Sequence, residues 1–409
     1  MKKRSGKTIE VRWGQDGRRV GLLLHTGPVY FSYDPEWLAT GHNLSPFLLP
    51  FDTRPQNILA TGCFGLPGFI TDALPDAWGE KVAQAVFARN GWGTVTPVKL
   101  LAWIGDRAIG ALSFHPVTTG PEEAENWLGR IAVERLAHEA QEILRGRPGE
   151  IAAMAVAGGS AGGAFPKALV IEHADGTLSL RSTPGATDEV PALLKLDLPE
   201  IRAAGRVEHA YVRMAEAAGI DVPTCRLIEN GGGGHLLIRR FDWKEGRRLH
   251  LHSLCGLWHR PKSGLDYADL FRAIARLGLP RERLLQAARR MLFNLLAGNC
   301  DDHGRNHAFL YDAATRCWDL SPAYDLTFSP AVLSRGMTIA GEVTPTFATV
   351  RDFLGSMAIT KEETTNLTAE VLATLRRWPE FAQATAIAPT KIEEIGNEHR
   401  KLIRRVGVD

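Results

Sequence analysis

The chain has 409 residues and a mass of 44.8 kDa, with 44% hydrophobic and 23% charged residues, which excludes a disordered chain. At about 100–200 residues per domain, two or three domains are expected. The 48 Lys and Arg face 46 Asp and Glu for a formal net charge of +2, which excludes the dominant basic field of a non-specific nucleic-acid binder.

No apolar run approaches the ~18 residues needed to span a bilayer. The basic start MKKRSGK continues into TIEVRWGQDGRR without an apolar core, so no secretion signal is read. Five cysteines (Cys63, Cys225, Cys255, Cys300, Cys317) are scattered without a CxxC pair. That argues against a disulfide framework or a cysteine zinc site and makes a reducing cytoplasm the expected location.

Residues 1–115 read mostly as strands and turns. Ile9–Trp13 alternates, Gly14 to Gly17 is turn chemistry, and Arg19–Leu24 and Val29–Tyr33 are further strands. A Pro- and Gly-dense segment from Leu66 to Gly79 leads into a helix over Glu80–Arg89, and Ile109–Phe114 closes this part as a strand. Trp127–Leu144 has the pattern of an amphipathic helix, broken by Arg145 to Gly149. Strands are expected over Lys167–Glu172, Leu178–Arg181 and Leu193–Leu196, a helix over Val207–Ala218, and strands at Cys225–Ile228 and Leu236–Phe241 around the hairpin glycines Gly231 to Gly234. Helices dominate from Leu265 onward: Leu265–Leu277, Arg281–Ala297, Lys361–Arg377 and Thr390–Val406. A strand-rich half before a helical half outlines a two-lobed enzyme.

The first chemical feature is the run from Gly158 to Lys167, containing Ser160, Ala161, Gly162, Gly163 and Ala164. Glycines let backbone N–H groups surround phosphate oxygens, but the run is neither a Walker A loop nor G-x-G-x-x-G, and a flexible linker reads equally well. Lys195 lies in the apolar strand Leu193–Leu196, either snorkelling to solvent or pairing with phosphates.

The strongest signal is Asn299 to Asn306, which packs Asp301, Asp302, His303, Arg305 and Asn306 between the apolar flanks Met291–Ala297 and Ala308–Leu310. A polar loop wedged between buried elements reads as a site rather than a solvated face. Asp301 and Asn306 have the spacing of the kinase catalytic loop D-x-x-x-x-N, whose Asp accepts the substrate hydroxyl proton and whose Asn holds a metal ion. Asp302 is one position short. Downstream, Asp325 in Pro322 to Leu326 supplies the carboxylate a second magnesium ligand needs, with Asp319 its nearest rival. His303 and His307 at i, i+4 do not make a zinc pair, because Gly304 and the loop context oppose a helix and no HExxH exists.

In this order the pieces resemble the HipA family of bacterial serine/threonine kinases, the toxins of HipBA-type toxin–antitoxin modules. Gly65 to Pro67, Leu74 to Gly79 and Gly105 to Leu112 look like the family's N-terminal subdomain, Ser160 to Lys167 like its glycine-rich loop, and Arg239 to Asp242 like its hinge strand. Asp301-x-His303-x-Arg305-Asn306 and Pro322 to Asp325 are the most specific matches.

The resemblance implies an α+β, bilobal, protein-kinase-like fold: an extra N-terminal β-rich subdomain (residues 1–115), a nucleotide-binding N-lobe (116–242) and a helical C-lobe (243–409). It implies Asp301 as the catalytic aspartate and Asn306 and Asp325 as ligands of Mg²⁺. ATP would be met by the loop residues Ser160 to Ala164, by Lys167 and Lys195, by the hinge at Arg239 and Phe241, and by His303 and Arg305. Ser160 matches the family's autophosphorylated serine, whose roughly −1.5 to −2 added charges would repel nucleotide and switch the enzyme off. An aminoacyl-tRNA synthetase is the implied target, and a HipB-like helix-turn-helix antitoxin, which also carries any operator DNA contact, is the implied partner. No membrane partner is expected.

Two departures stand out. The family's Asn-Glu-Tyr in the helix after the lysine strand aligns with His209-Ala210-Tyr211, which leaves that glutamate missing unless Glu208 replaces it. Phe165 stands where many members carry Gln. The alternatives are a small-molecule phosphotransferase, disfavoured because His303 follows rather than precedes Asp301, and a degenerate kinase acting only as an antitoxin-bound corepressor.

Overall fold

Alternation writes the first sheet. Ile9, Val11 and Trp13 of β1 (Lys7–Trp13) are buried while Glu10 and Arg12 face outward and pair with each other. β2 (Arg19–His25), β3 (Val29–Tyr33) and β4 (Leu112–Pro116) complete a four-stranded antiparallel sheet in the order β3-β2-β1-β4. Between β3 and β4 run α1 (Pro35–Thr40), α2 (Gly68–Thr71), α3 (Ala77–Arg89) and α4 (Pro97–Ile104). The computed structural model describes residues 7–117, 130–147, 151–157, 163–181, 183–198, 204–230, 233–330 and 335–408.

The second sheet has six antiparallel strands in the order β5-β7-β6-β8-β10-β9. They are β5 (Arg130–Ile131), β6 (Lys167–Glu172), β7 (Leu178–Ser179), β8 (Val190–Lys195), β9 (Cys225–Asn230) and β10 (Gly233–Arg239). Between them lie α5 (Val133–Leu144), α6 (Ala152–Ala157) and α7 (Ala204–Ala217). The helix expected from Trp127 starts at Val133 instead: Arg130 and Ile131 pair with Ser179 and Leu178 at the sheet edge, and Ile131 is buried there. Gly233 and Gly234 open β10 opposite Asn230 and Glu229, while Gly231 and Gly232 lie outside the described residues.

The remainder is mainly helical. A short hairpin, β11 (Trp243–Lys244) and β12 (Arg247–Arg248), leads to β13 (His250–Ser253), α8 (Leu254–Leu257), β14 (Leu265–Asp266), α9 (Tyr267–Arg276) and α10 (Arg281–Leu296). Then follow β15 (Ala308–Asp312), β16 (Cys317–Leu320), β17 (Met337–Thr338), α11 (Phe347–Ser356), α12 (Lys361–Arg376), α13 (Trp378–Ala384) and α14 (Pro389–Val406). The helix expected from Leu265 begins at Tyr267, because Leu265 and Asp266 pair in parallel with Met337 and Thr338. Asp266 then caps α9 through a capping box with Asp269. Among the described residues no helix is long and apolar enough to cross a membrane.

Two buried cores result. One joins the first sheet and α3 to α6 with the second sheet, through Val11, Phe31, Trp78, Val82, Met154, Val170 and Leu194. The other joins α7 to the helical half through Tyr211, Met214, Tyr267, Phe293, Leu354 and Trp378. Lys195 stands between Leu194 and Leu196 of the first core, and Asp325 between Ala323 and Leu326 of the second, so the two meet where the cores face each other. The fold is the two-lobed α+β arrangement expected, with the N-terminal sheet and its helices built into the core of the strand-rich lobe.

Candidate active site

Lys195 ends β8 with Leu194 and Leu196 turned into the core, so strand alternation sends its side chain to the cleft. Its Nζ lies 2.6 Å from Glu208 Oε1 of α7 and also bonds Asp325 Oδ1. Burial alone would lower the pKa of the Lys195 ammonium, but the carboxylates of Asp325 and Glu208 outweigh it and hold it above the ordinary value. Burial opposes ionisation of Asp325 too, and there the charges of Lys195 and Lys167 win, so its carboxyl stays well below the usual range. Asp325 adopts φ +58°, a left-handed backbone rare outside glycine, which turns its side chain back toward Lys195.

Glu208, two positions before the aligned Ala210, thus meets the strand lysine from the helix. It shares one face of α7 with Tyr211, three positions on, and the Tyr211 hydroxyl donates to Ala297 O at 2.7 Å, which fixes the rotation of the helix. Lys167 pairs in register with Lys195 across β6 and β8 and is buried. Burial and the neighbouring Lys195 charge bring its ammonium down to about 8. A side chain on Gly163, whose φ is +105°, would meet Lys167 Nζ at 2.3 Å, so glycine leaves that ammonium its room. Ser160, Ala161 and Gly162 lie outside the described residues. Ala164 and Phe165 are exposed.

The two neighbouring aspartates of the polar loop have opposite surroundings. Asp302 is buried, accepting from Tyr267 OH at 2.8 Å and from Arg335 Nη2 at 2.7 Å. Asp301 is exposed at the cleft, where its backbone N–H donates to Ser329 Oγ and its carbonyl accepts from Asn306 Nδ2 at 2.8 Å. Ser329 in turn bonds Asn299, Asn299 bonds Asn294, and Asn294 bonds Tyr267, so a buried polar chain closes the loop from behind. Desolvation raises the Asp301 carboxyl, His303 opposes this and Asp325 adds to it. His303 Nε2 stands 3.8 Å from Asp301 Oδ1.

Arg305, expected on nucleotide, is taken up elsewhere. Its Nη1 donates to Asp76 Oδ1 at 2.6 Å and its Nη2 to Thr71 O at 3.2 Å, both before α3. Arg239 ends β10 with an exposed side chain, and Phe241 beyond it tilts onto Tyr324 with ring centroids 5.3 Å apart. The rival Asp319 is spent on an ion pair with Arg283. The spacing of the sequence motif gives no sign of Ser329, Arg335 or Asp76. Asp76 lies in the Leu74 to Gly79 segment that the resemblance marks, with no sign there that it reaches the polar loop.

The donor chemistry suits a hard cation. With its Nδ2 committed to Asp301 O, Asn306 has its amide oxygen left as a donor on the same loop as Asp301, whose carboxyl feels the charge of Asp325. Among the described residues no three His, Cys, Asp or Glu side chains converge as a metal cage. Mg²⁺ needs none where one or two protein oxygens and substrate phosphates share it.

The sequence matches the HipA-like C-terminal domain over residues 159–406 and the HipA N-terminal domain over residues 11–115. It is 27% identical over 347 residues to the kinase-like protein Y4mE of Sinorhizobium fredii, covering 78% of this chain and 77% of that protein. The fold is similar to that of a chain in the complex of HipA, HipB and operator DNA from the Shewanella oneidensis toxin–antitoxin system, with a TM-score of 0.70 at 19% identity over 97% of this chain and 96% of that one.

Proposed function

The chain belongs to the HipA family, and from that premise we propose that it is an ATP- and Mg²⁺-dependent protein serine/threonine kinase serving as the toxin of a type II toxin–antitoxin pair. The observation that carries this reading is the Lys195 ammonium held between Glu208 and Asp325 in the cleft that Asp301 and Asn306 line. In a kinase, a strand lysine paired with a helix glutamate orients the nucleotide phosphates, and an exposed loop aspartate accepts the acceptor hydroxyl proton. Lys195, Glu208 and Asp301 are assigned those roles. Asn306 and Asp325 would hold Mg²⁺, which when bound neutralises charge on the transferring phosphoryl group. Lys167, Gly163 and the hinge at Arg239 and Phe241 would line the nucleotide site, and Ser160 would take the autoinhibitory phosphate.

The degenerate-kinase alternative rested on a missing helix glutamate, and the 2.6 Å pair of Lys195 with Glu208 supports the active reading instead. A HipB-like antitoxin is the proposed partner, by analogy with the Shewanella complex. The formal charge of +2 fits DNA contact through that partner rather than through a basic field of the chain itself. The proposed target is a translation factor of the aminoacyl-tRNA synthetase class. The test is incubation of the purified chain with labelled ATP and Mg²⁺. Label is expected on Ser160 in the parent and none in Asp301→Ala, and growth arrest on expression is expected to be relieved by the same substitution. Absence of both nucleotide binding and self-labelling in the parent would sink the reading.

A further inference from the structure

Asp76 occupies the N-cap of α3, where an aspartate ordinarily accepts from the amides of its own helix. It makes no such bond. Its carboxylate instead receives three donors from three distant stretches of chain. Arg305 Nη1 of the polar loop bonds Oδ1 at 2.6 Å, while Gly163 N at 2.8 Å and Lys262 Nζ at 2.9 Å bond Oδ2. The group is 9% exposed, and Arg305 and Lys262 hold its pKa below the ordinary value against the cost of burial. The amide of Trp78, left free because the cap is not made, donates to Gly163 O at 3.2 Å. Gly163 is thus held on both sides, its N–H by Asp76 and its carbonyl by Trp78. Trp78 Nε1 also donates to Lys167 O at 3.0 Å, at the foot of the strand that follows.

We infer that Asp76 is a positioning residue of the phosphotransfer site: one carboxylate of the N-terminal subdomain fixes the end of the glycine-rich run at Gly163 to the loop that carries Asp301. This rests on the kinase reading above. The two loops come from different lobes, and among the described residues no hydrogen bond joins Gly163 to Arg305 directly. Each is instead bonded to Asp76, so displacing either one strips a charge-assisted bond from a nearly buried carboxylate. Gly163 cannot be replaced without strain at φ +105°, and replacing the arginine leaves Asp76 with Lys262 for its cationic partner and with Oδ1 stripped of the Arg305 donor. The N-terminal subdomain is therefore a working part of the catalytic cleft and sets the distance between its two loops.

The test compares the full-length parent with Asp76→Asn and Asp76→Ala. Initial rates of self-labelling are measured against ATP concentration, together with thermal midpoints and amide hydrogen exchange over residues 163–172 without nucleotide. Asn keeps an oxygen for the Gly163 N–H but loses the charge facing Arg305. It is expected to lower the limiting rate about tenfold with half-saturating ATP changed less than about twofold. Ala loses both arms and is expected to lower the rate, raise half-saturating ATP about tenfold and speed exchange at residues 163–172. Parent-like constants and exchange in Asp76→Ala, with the parent active, overturn the positioning role alone. A parent that neither binds ATP nor transfers phosphate overturns the kinase reading, and exchange at residues 163–172 still decides whether Asp76 clamps the loop. Should Asp76→Ala not fold, equal effects of Asp76→Asn on rate and on half-saturation overturn the proposed division between the two arms.

Discussion

Glu208 Oε1 lies 2.6 Å from Lys195 Nζ, bringing the first turns of α7 against the end of β8. The pair keeps the ammonium from being drawn wholly onto Asp325, the other carboxylate in reach. Removing Glu208 deletes one charge-assisted bond, worth about 1.5–3 kcal/mol. Glu208→Ala is expected to lower phosphate transfer at subsaturating ATP ~10- to 100-fold, read from initial rates with labelled ATP. A parent-like rate would mean that Lys195 is oriented by Asp325 alone.

Arg335 and Asp302 form an ion pair whose side chains are 2% and 0% exposed, directly behind Asp301. Breaking a buried pair from one side leaves an uncompensated charge and costs about 3–5 kcal/mol. Arg335→Leu is therefore expected to shift urea unfolding by about that much, and the double variant with Asp302→Leu to recover a good part of it. Unfolding of Arg335→Leu within about 0.5 kcal/mol of the parent would show the pair to be energetically idle.

Strand periodicity, cap chemistry and spacing were legible in the sequence where they act locally. Val29–Tyr33 and Lys167–Glu172 have the expected bounds, and α10 and α14 end within a residue or so of them. The elements that escaped are those decided by distant partners. Arg130 and Ile131 carry a helical pattern but are claimed by Leu178 and Ser179 across the sheet. Spacing separated Asp301 from Asp302, yet the reason they differ is Arg335, thirty-odd positions away in a segment without a motif. Glu208 was visible, but judging whether it faces Lys195 required the rotation of α7, which Tyr211 sets through Ala297. The resemblance places Arg305 on the nucleotide. The competing carboxylate, Asp76, lies far upstream in sequence.

The seam between the N-terminal subdomain and the helical half depends on a glycine pair. A side chain on Gly68 of α2 would stand 2.0 Å from Gly256 O of α8, a backbone atom that cannot swing aside. The same seam holds Asp72, which accepts from Ser253 N at 2.8 Å and from Ser253 Oγ at 2.5 Å and lies 2.7 Å from His252 Nδ1. Gly68→Ala is expected to destabilise by about 1–3 kcal/mol and to reduce phosphate transfer along with it, because Asp76 is carried on the displaced segment. Gly355 in α11 has nothing within 4 Å of an added Cβ. Gly355→Ala is expected to stabilise by about 0.4–1 kcal/mol without touching activity. Thermal midpoints of the two variants give the check, and equal shifts would refute the close-approach argument.

Acid sensitivity follows from histidines buried in neutral form. Burial brings His250 down to about 3, and His307 and His399 down to about 4. In the unfolded chain each titrates near 6.5, so between there and pH ~4 the unfolded state binds protons that the folded state refuses. Stability is thus complete above about pH 6.5 and falls as the pH drops through that window, by about 1.4 kcal/mol per unit for each such histidine. Glu208 and Asp301 are held above their ordinary values and offset part of this loss near the acid end. His399 tests the sign, since its ring packs against Tyr211 and Trp378 with Nε2 3.1 Å from Ala297 O. Urea unfolding at pH 7 and pH 5 should show a clear loss in the parent and about 2 kcal/mol less loss in His399→Gln. A parent equally stable at both values would overturn the assignment of these rings as neutral and buried.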